Sequence, residues 1–360
     1  MRVLLTGISG FAGLALLPRL LEQGHEVRAL ARDRTRVELA LGSIAHQSHA
    51  EVSMGDFELQ IGDTLSGTGV PGAMRGVEVA YYLIHSMEPI PEGSGERTSR
   101  GSGEASFSAR ERASAETFAQ AARAAGVKRI VYLGGPLPSA PSTFAASRSD
   151  REEPPRADAG ADEKRSQISP RISPHLSSRN AVERILLEAV PDSVALRASL
   201  VIGARSRSFR FLVRLVERMP VLALPAWRRF RSRPIDERDV VEMLCSCASV
   251  QAVGGRSLDV GGPEVLSYGE IVERIAELML LGRPSVGIGV TVTPIAARVA
   301  AVIANERPEL VLPLMESLSS DLLPSGEDPA ELLGVDLHSF DSAVEHALEE
   351  WERSEPLAAR

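Results

Sequence analysis

Along the first two hundred or so residues, short and nearly unbroken apolar runs alternate with longer stretches whose apolar positions recur at helical spacing. Residues 3–5 run apolar into Thr6, after which Leu14, Leu17, Leu20 and Leu21 make one stripe ending at Gly24. Further runs at 26–30, 57–61, 77–84, 129–133 and 193–202 complete six predicted strands. Helices are predicted between them, from residue 35, over 109–125 and over 174–190. A continuous apolar run such as VEVAYYLI is what a parallel strand covered on both faces requires. Strands alternating with helices predict an α/β protein with a doubly wound parallel sheet.

Beyond Gly203 the strict alternation fades. Helices are predicted over 209–218, from a cap at Asp239 to about Ser249, over 268–281 and over 340–351, with a strand at 258–262. The expected organisation is therefore a nucleotide-type domain over 1–203 and a smaller, mainly helical substrate lobe over 204–360, some of whose segments return to the sheet. Two polar stretches, 88–108 and 139–173, lack apolar periodicity and are expected to be mobile loops, the second placed to gate substrate.

Chemistry enters where the first strand ends. Gly7, Gly10 and Gly13 recur at three-residue spacing within TGISGFAG, just before the first helix. The first glycine allows a tight turn, the second lets backbone approach a pyrophosphate, and the third allows close packing of the helix. Ser9, Gly10, Phe11, Ala12 and Gly13 are then the expected diphosphate contacts, at a helix N-terminus whose unpaired N–H groups favour an anion.

After the second strand, Arg32 stands where a carboxylate would hold ribose hydroxyls in an NAD site, with Arg34 and Arg36 close behind and Asp33 the only acid in reach. A guanidinium matches a 2′-phosphate, so NADP(H) is expected in preference to NAD. Asp63 and Thr64 follow the third strand, where Asp63 either meets the adenine amino group or caps a turn. His85, Ser86 and Met87 are delivered by the fourth strand to the carboxyl edge of the sheet, where ligands bind in such folds.

With 44% hydrophobic residues the chain can bury a full core, and a net charge of −8 with a pI near 5.6 gives no footprint for nucleic acid. Cys245 and Cys247 are the only cysteines, placed neither to bridge nor to build a metal site, which suits a reducing compartment. His46 and His49 have no evident partners for a metal. Residues 286–304 are the most lipid-like, but Pro294 and Arg298 interrupt them, so a packed helix is expected rather than a membrane span. No signal peptide is read at the amino end, which predicts a cytoplasmic location.

The glycine motif resembles the TGxxGFxG cofactor motif of extended and atypical short-chain dehydrogenases/reductases, the nucleoside-diphosphate-sugar epimerase-like NAD(P)-binding proteins. Further pieces occur in the family's order: Gly62-Asp63, Val131-Tyr132-Leu133-Gly134-Gly135, Leu196-Arg197-Ala198, Pro234-Ile235 with Asp239-Val240, and Gly261-Gly262-Pro263 before Tyr268. The resemblance implies a Rossmann-type domain, Gly134 among the cofactor contacts, and hydride transfer to or from a small carbonyl, alcohol or quinone-like substrate. It breaks at the catalytic set. The family's Ser or Thr after strand five is replaced by Gly134-Gly135, and its Tyr-x-x-x-Lys by His175 and Arg179, again one helical turn apart. His175 can serve as a general acid near neutrality, and Arg179 can hold the nicotinamide ribose or an anionic substrate. The alternative implied by the missing residues is an NADP(H)-binding redox sensor or assembly scaffold without turnover. Arg197 is expected to be structural, and the arginines at 228–233 a solvated rim rather than an anion pocket or membrane patch.

Overall fold

A computed structural model of the chain describes residues 1–44, 52–84, 102–136, 174–287 and 320–355. Its centre is a seven-stranded, wholly parallel sheet formed by β1 (Arg2–Thr6), β2 (Glu26–Ala31), β3 (Glu58–Ile61), β4 (Val79–Tyr82), β5 (Arg129–Gly134), β6 (Val194–Ala198) and a later strand, Ser257–Val260, in the order last strand, β6, β5, β4, β1, β2, β3. The strand order reverses between β1 and β4, which opens a crevice at their carboxyl ends. Thr6, fully buried, closes its base: its hydroxyl donates to the Tyr81 carbonyl at 2.8 Å and accepts from the Leu83 N–H at 3.2 Å.

Helices cover both faces. On one lie α1 (Phe11–Glu22) and α2 (Arg34–Ile44), where the predicted stripe of Leu14, Leu17 and Leu20 is buried against Val3, Leu5 and Val27. On the other lie the short α3 (Val70–Ala73), α4 (Ser102–Ala125) and α5 (Pro174–Ala189), packed on Tyr82, Ile130 and Tyr132. Buried apolar area is the main stabilising term here, at roughly 25 cal/mol per Å².

Several sequence expectations need correction. Helix α4 begins at Ser102, so part of the stretch expected to be a loop at 88–108 is helical; its alanines and glutamates at helical spacing outweigh its glycines and serines. The expected strand at 193–202 is two strands, β6 and β7 (Val201–Ile202), because β7 leaves the main sheet to pair with β10 (Ile235–Asp236).

The remaining elements in order are α6 (Arg207–Arg218), β8 (Leu222–Leu224), β9 (Arg231–Ser232), β10, α7 (Glu237–Ser246), β11 (Ser257–Val260), β12 (Leu266–Ser267), α8 (Tyr268–Leu278), β13 (Ser285–Gly287), α9 (Pro329–Leu333) and α10 (Phe340–Glu352). Asp236, not Asp239, caps α7, its side chain accepting from the Arg238 N–H; Asp239 instead turns inward and is buried against His338. A capping box formed by Ser267 and Glu270 starts α8.

The second lobe has its own core, built from Phe209, Leu212, Trp227, Tyr268, Ile271, Phe340 and Trp351 on α6, α8, α10 and the turn after β8. The part of the chain after Gly203 is nonetheless shared between the two halves. Strand β11 completes the main sheet beside β6, and α7 and α9 pack on the α1 face.

The expected loop at 139–173, the histidines at 46 and 49, and most of the lipid-like stretch lie outside the described residues. Among the described residues, no helix is long and apolar enough to cross a membrane, and no group of His, Cys, Asp and Glu is arranged to hold a metal.

Candidate active site

All seven strands of the sheet run the same way, so one edge collects their carboxyl ends, and the glycine turn stands at its centre. Gly7 has φ +71°, the left-handed region that only glycine adopts without strain. A β-carbon there would lie 2.4 Å from the Leu83 carbonyl oxygen, across the crevice on the β4 side. At Gly13 a β-carbon would lie 2.3 Å from the Gly7 carbonyl, so this glycine lets the first turn of α1 close over the strand exit.

Between them, the Gly10 N–H donates to the Gly7 carbonyl at 2.8 Å, and Gly10 caps α1 without any side chain. Ser9 and Gly10 are exposed, and Phe11 and Ala12 are half-buried. The first-turn N–H groups of a helix have no carbonyl four residues back, so this surface presents donors and a positive dipole end to an anion. That matches the chemistry of a dinucleotide diphosphate.

Two further predicted contacts stand at neighbouring strand ends. Arg32 is exposed directly after β2, while Asp33 is occupied in capping the next helix, accepting from the Thr35 N–H at 2.8 Å. Asp63, after β3, accepts from the Leu65 N–H at 3.1 Å, the turn-capping alternative. The Thr64 hydroxyl is buried and pairs with Ser114 of α4 at 2.5 Å, and Tyr82 also donates to Ser114. Its side chain therefore braces β3 and β4 against α4, which leaves its backbone for any ligand contact. His85 and Ser86 lie outside the described residues.

The other half of the edge is formed by β5 and α5. Gly134 ends β5, and Gly135 faces α5: a β-carbon on Gly135 would sit 3.4 Å from Leu176 Cδ2, 3.5 Å from Arg179 Cδ and 3.6 Å from Arg179 Nη1. Arg179 is thus brought to the strand-five exit, where the family resemblance places a hydroxyl. His175 lies in the first turn of the same helix.

Behind Arg179, the Tyr132 hydroxyl donates to the Arg179 carbonyl at 3.4 Å, and Ser178 donates to Glu111 of α4 at 2.6 Å. Burial raises the proton affinity of the Glu111 carboxyl, with the Ser178 hydrogen bond and the Arg179 charge pulling the other way. Burial also pushes the Tyr132 phenol well above its usual range, so it is a fixed donor and not an ionisable base.

Sequence reasoning missed Glu237. Its Oε2 lies 2.2 Å from where a Gly203 β-carbon would be, and the Phe11 ring is 2.9 Å from the same point, so Glu237, Gly203 and Phe11 are packed together beside the glycine turn. Burial, then Glu350 and Asp236, drive the Glu237 carboxyl well above the normal range, opposed by Arg205. An acid following Asp236 reads in sequence as an ordinary first-turn helix residue, and only the tertiary contact with Gly203 distinguishes it.

Asp239 is also raised, by burial, although it accepts two hydrogen bonds from His338, at 2.5 Å from the ring Nδ1 and at 2.9 Å from the backbone N–H. This pair ties α7 to the start of α10.

The remaining candidates are structural. Arg197 pairs with the buried Glu183 at 2.6 Å and faces Asp259 at 3.6 Å, locking α5, β6 and β11. Within the arginine run, Arg231 pairs with Asp321 at 2.9 Å and Arg233 donates to the Gly262 carbonyl at 2.6 Å, while Arg228 and Arg229 are exposed. Cys245 and Cys247 are buried free thiols, each pushed up to about 12 by burial, and so are inert at neutral pH.

Residues 7–153 match the family model for NAD(P)H-binding proteins. No curated protein matches the chain in sequence. Among solved structures, the chain is similar over nearly its full length to the protein gox2253, with 17% identity, 99% of each chain covered and a TM-score of 0.68. It is similar to MoeE5, solved with UDP-glucose and NAD, at 19% identity, with 98% and 99% of the two chains covered and a TM-score of 0.63. A short-chain dehydrogenase/reductase superfamily protein from Agrobacterium tumefaciens with bound NAD gives 16% identity, 98% and 97% coverage and a TM-score of 0.59. Over residues 7–153 the chain is thus similar to NAD(P)H-binding proteins, and its fold is the Rossmann-like fold shared by these solved structures.

Proposed function

We propose that the protein is an NADP(H)-dependent oxidoreductase that moves hydride to or from a small carbonyl, alcohol or quinone-like substrate. The observation that carries this reading is the shared edge: the glycine turn opens between β1 and β4, and Arg179 meets the exit of the adjacent β5. Gly7, Ser9, Gly10, Phe11, Ala12 and Gly13 hold the diphosphate, and the Asp63–Thr64 turn, His85, Ser86 and Gly134 complete the cofactor contacts. The solved neighbours MoeE5 and the Agrobacterium protein hold NAD. Arg32, placed after β2 where a ribose-binding acid would stand, is the reason for preferring the cofactor with a 2′-phosphate here.

A bound nicotinamide would supply the hydride donor or acceptor. The chain's own contribution is to orient it and to manage the proton on the substrate oxygen. His175 gives or takes that proton, in the role of the missing tyrosine, and Arg179, one turn further along α5, holds charge beside it. The half-buried setting of Arg179 strengthens its electrostatic effect relative to an exposed arginine.

The experiment is calorimetric titration with NADPH and NADH, followed by a screen of carbonyl and quinone acceptors. Tight NADPH binding with turnover of an acceptor is the expected result. Binding without turnover across the panel supports the second reading, a redox sensor or assembly scaffold, which the loss of any hydroxyl at Gly134-Gly135 favours. Failure to bind either nucleotide removes both.

A further inference from the structure

Arg179 stands at the β5 exit, half-buried beside Gly135. Its Nε is buried and has no hydrogen-bond partner. A buried polar donor left without a partner is costly, the more so when charged, and folded proteins rarely leave one so. The local structure holds it in this state. The Tyr132 hydroxyl pins its backbone carbonyl, and Leu176 packs beside it over Gly135.

Glu111, whose carboxyl feels the Arg179 charge, accepts from Ser178 through Oε2. Gly135 puts no side chain beside the guanidinium, and a β-carbon there would lie 3.6 Å from Nη1. The result is a planar cation with an unspent N–H, lying beside a glycine at the β5 exit.

We propose that Arg179 is the receptor for an anionic group on the substrate, a carboxylate or a phosphate, and that Gly135 keeps a side chain from crowding its guanidinium. The inference rests on the oxidoreductase reading only for the identity of the anion as substrate; the anion site itself is testable without turnover. A guanidinium presents paired N–H donors in a fixed plane that fit two oxygens of a carboxylate or phosphate, whereas a neutral amide of the same shape offers one acceptor and no charge.

The test titrates full-length protein, with and without saturating NADPH, against benzoate, phenyl phosphate and benzamide. Wild type and the Arg179→Gln and Arg179→Lys variants are compared, with circular dichroism confirming that each is folded. Benzoate or phenyl phosphate should bind about tenfold or more tightly than benzamide, equivalent to about 1.4 kcal/mol. Arg179→Gln should abolish that preference, Arg179→Lys should keep part of it, and NADPH affinity should change little. The stronger of the two anions identifies carboxylate or phosphate as the substrate group.

Equal binding of benzoate, phenyl phosphate and benzamide, or an unaltered preference in Arg179→Gln, overturns the proposal, as does absence of binding by either anion. A large loss of NADPH affinity in Arg179→Gln with anion binding intact also overturns it, because Arg179 would then serve the cofactor. Arg179-dependent anion binding in a protein that binds no nucleotide would leave the anion site standing and remove the oxidoreductase reading.

Discussion

The two halves of the sheet's carboxyl edge solve different problems with glycine. At the β1–α1 turn, Gly7 and Gly13 are required by contact: added β-carbons would fall 2.4 Å and 2.3 Å from backbone oxygens that have nowhere to go. At the β5 exit, Gly135 is required by nothing so close, since its nearest neighbours are the flexible ends of Leu176 and Arg179 at 3.4 Å and beyond. The first pair makes a surface on which backbone meets a diphosphate. The second empties a space beside a cation. The lesson is that one residue type marks a rigid binding turn in one place and a vacated side-chain position in the other.

The largest effect expected along this edge is catalytic. His175→Ala should lower turnover about 10²-fold or more, the scale of a lost general acid, with NADPH affinity nearly unchanged. Steady-state kinetics beside calorimetry reads both, and unaltered turnover would remove His175 from the mechanism.

The glycine contrast itself is tested next. Gly13→Ala should destabilise the fold by about 1–3 kcal/mol through overpacking and abolish nucleotide binding, whereas Gly135→Ala should stay within about 0.5 kcal/mol of wild type in thermal unfolding. Similar losses at both positions would erase the distinction.

Within the cofactor half, Arg32→Ala should weaken NADPH by about tenfold and NADH far less, as a lost charge-assisted contact to a phosphate would. Equal losses for the two cofactors would place Arg32 outside that contact.

The smallest effect concerns Glu237. In the unfolded chain its carboxyl titrates near 4.5, while in the fold burial and the neighbouring acids keep the proton on to much higher pH. The folded state therefore binds more protons across that window, and stability falls as pH rises through it. Glu237→Gln, neutral at every pH, should raise the melting temperature relative to wild type by a margin that widens as pH rises above the ordinary carboxylate range. A margin independent of pH would mean that Glu237 is ionised in the fold.

Much of the frame was legible in the residues. The apolar runs at β1, β4 and β5 and the leucine stripe of α1 report burial that depends on near neighbours in sequence, so periodicity alone locates them. The glycine turn was legible for the same reason, because its geometry is set within one strand–turn–helix unit. Ser102–Ala125 was misread at its start because serine and glycine carry only small propensity penalties, which the alanines and glutamates of the same helix outweigh. Asp239 was misread as a cap because its partner, His338, is 99 residues away in sequence.

What the sequence by itself determined is the parallel sheet and its glycine turn, since these follow from local spacing and side-chain size. Only the tertiary structure decided that β11 returns to complete the sheet, that Arg179 meets Gly135 with an unspent N–H, and that Glu237 is forced against Gly203 and Phe11. Those features depend on which distant segments share a volume, and burial in that volume, not residue type, sets the charge and hydrogen bonding of the groups within it.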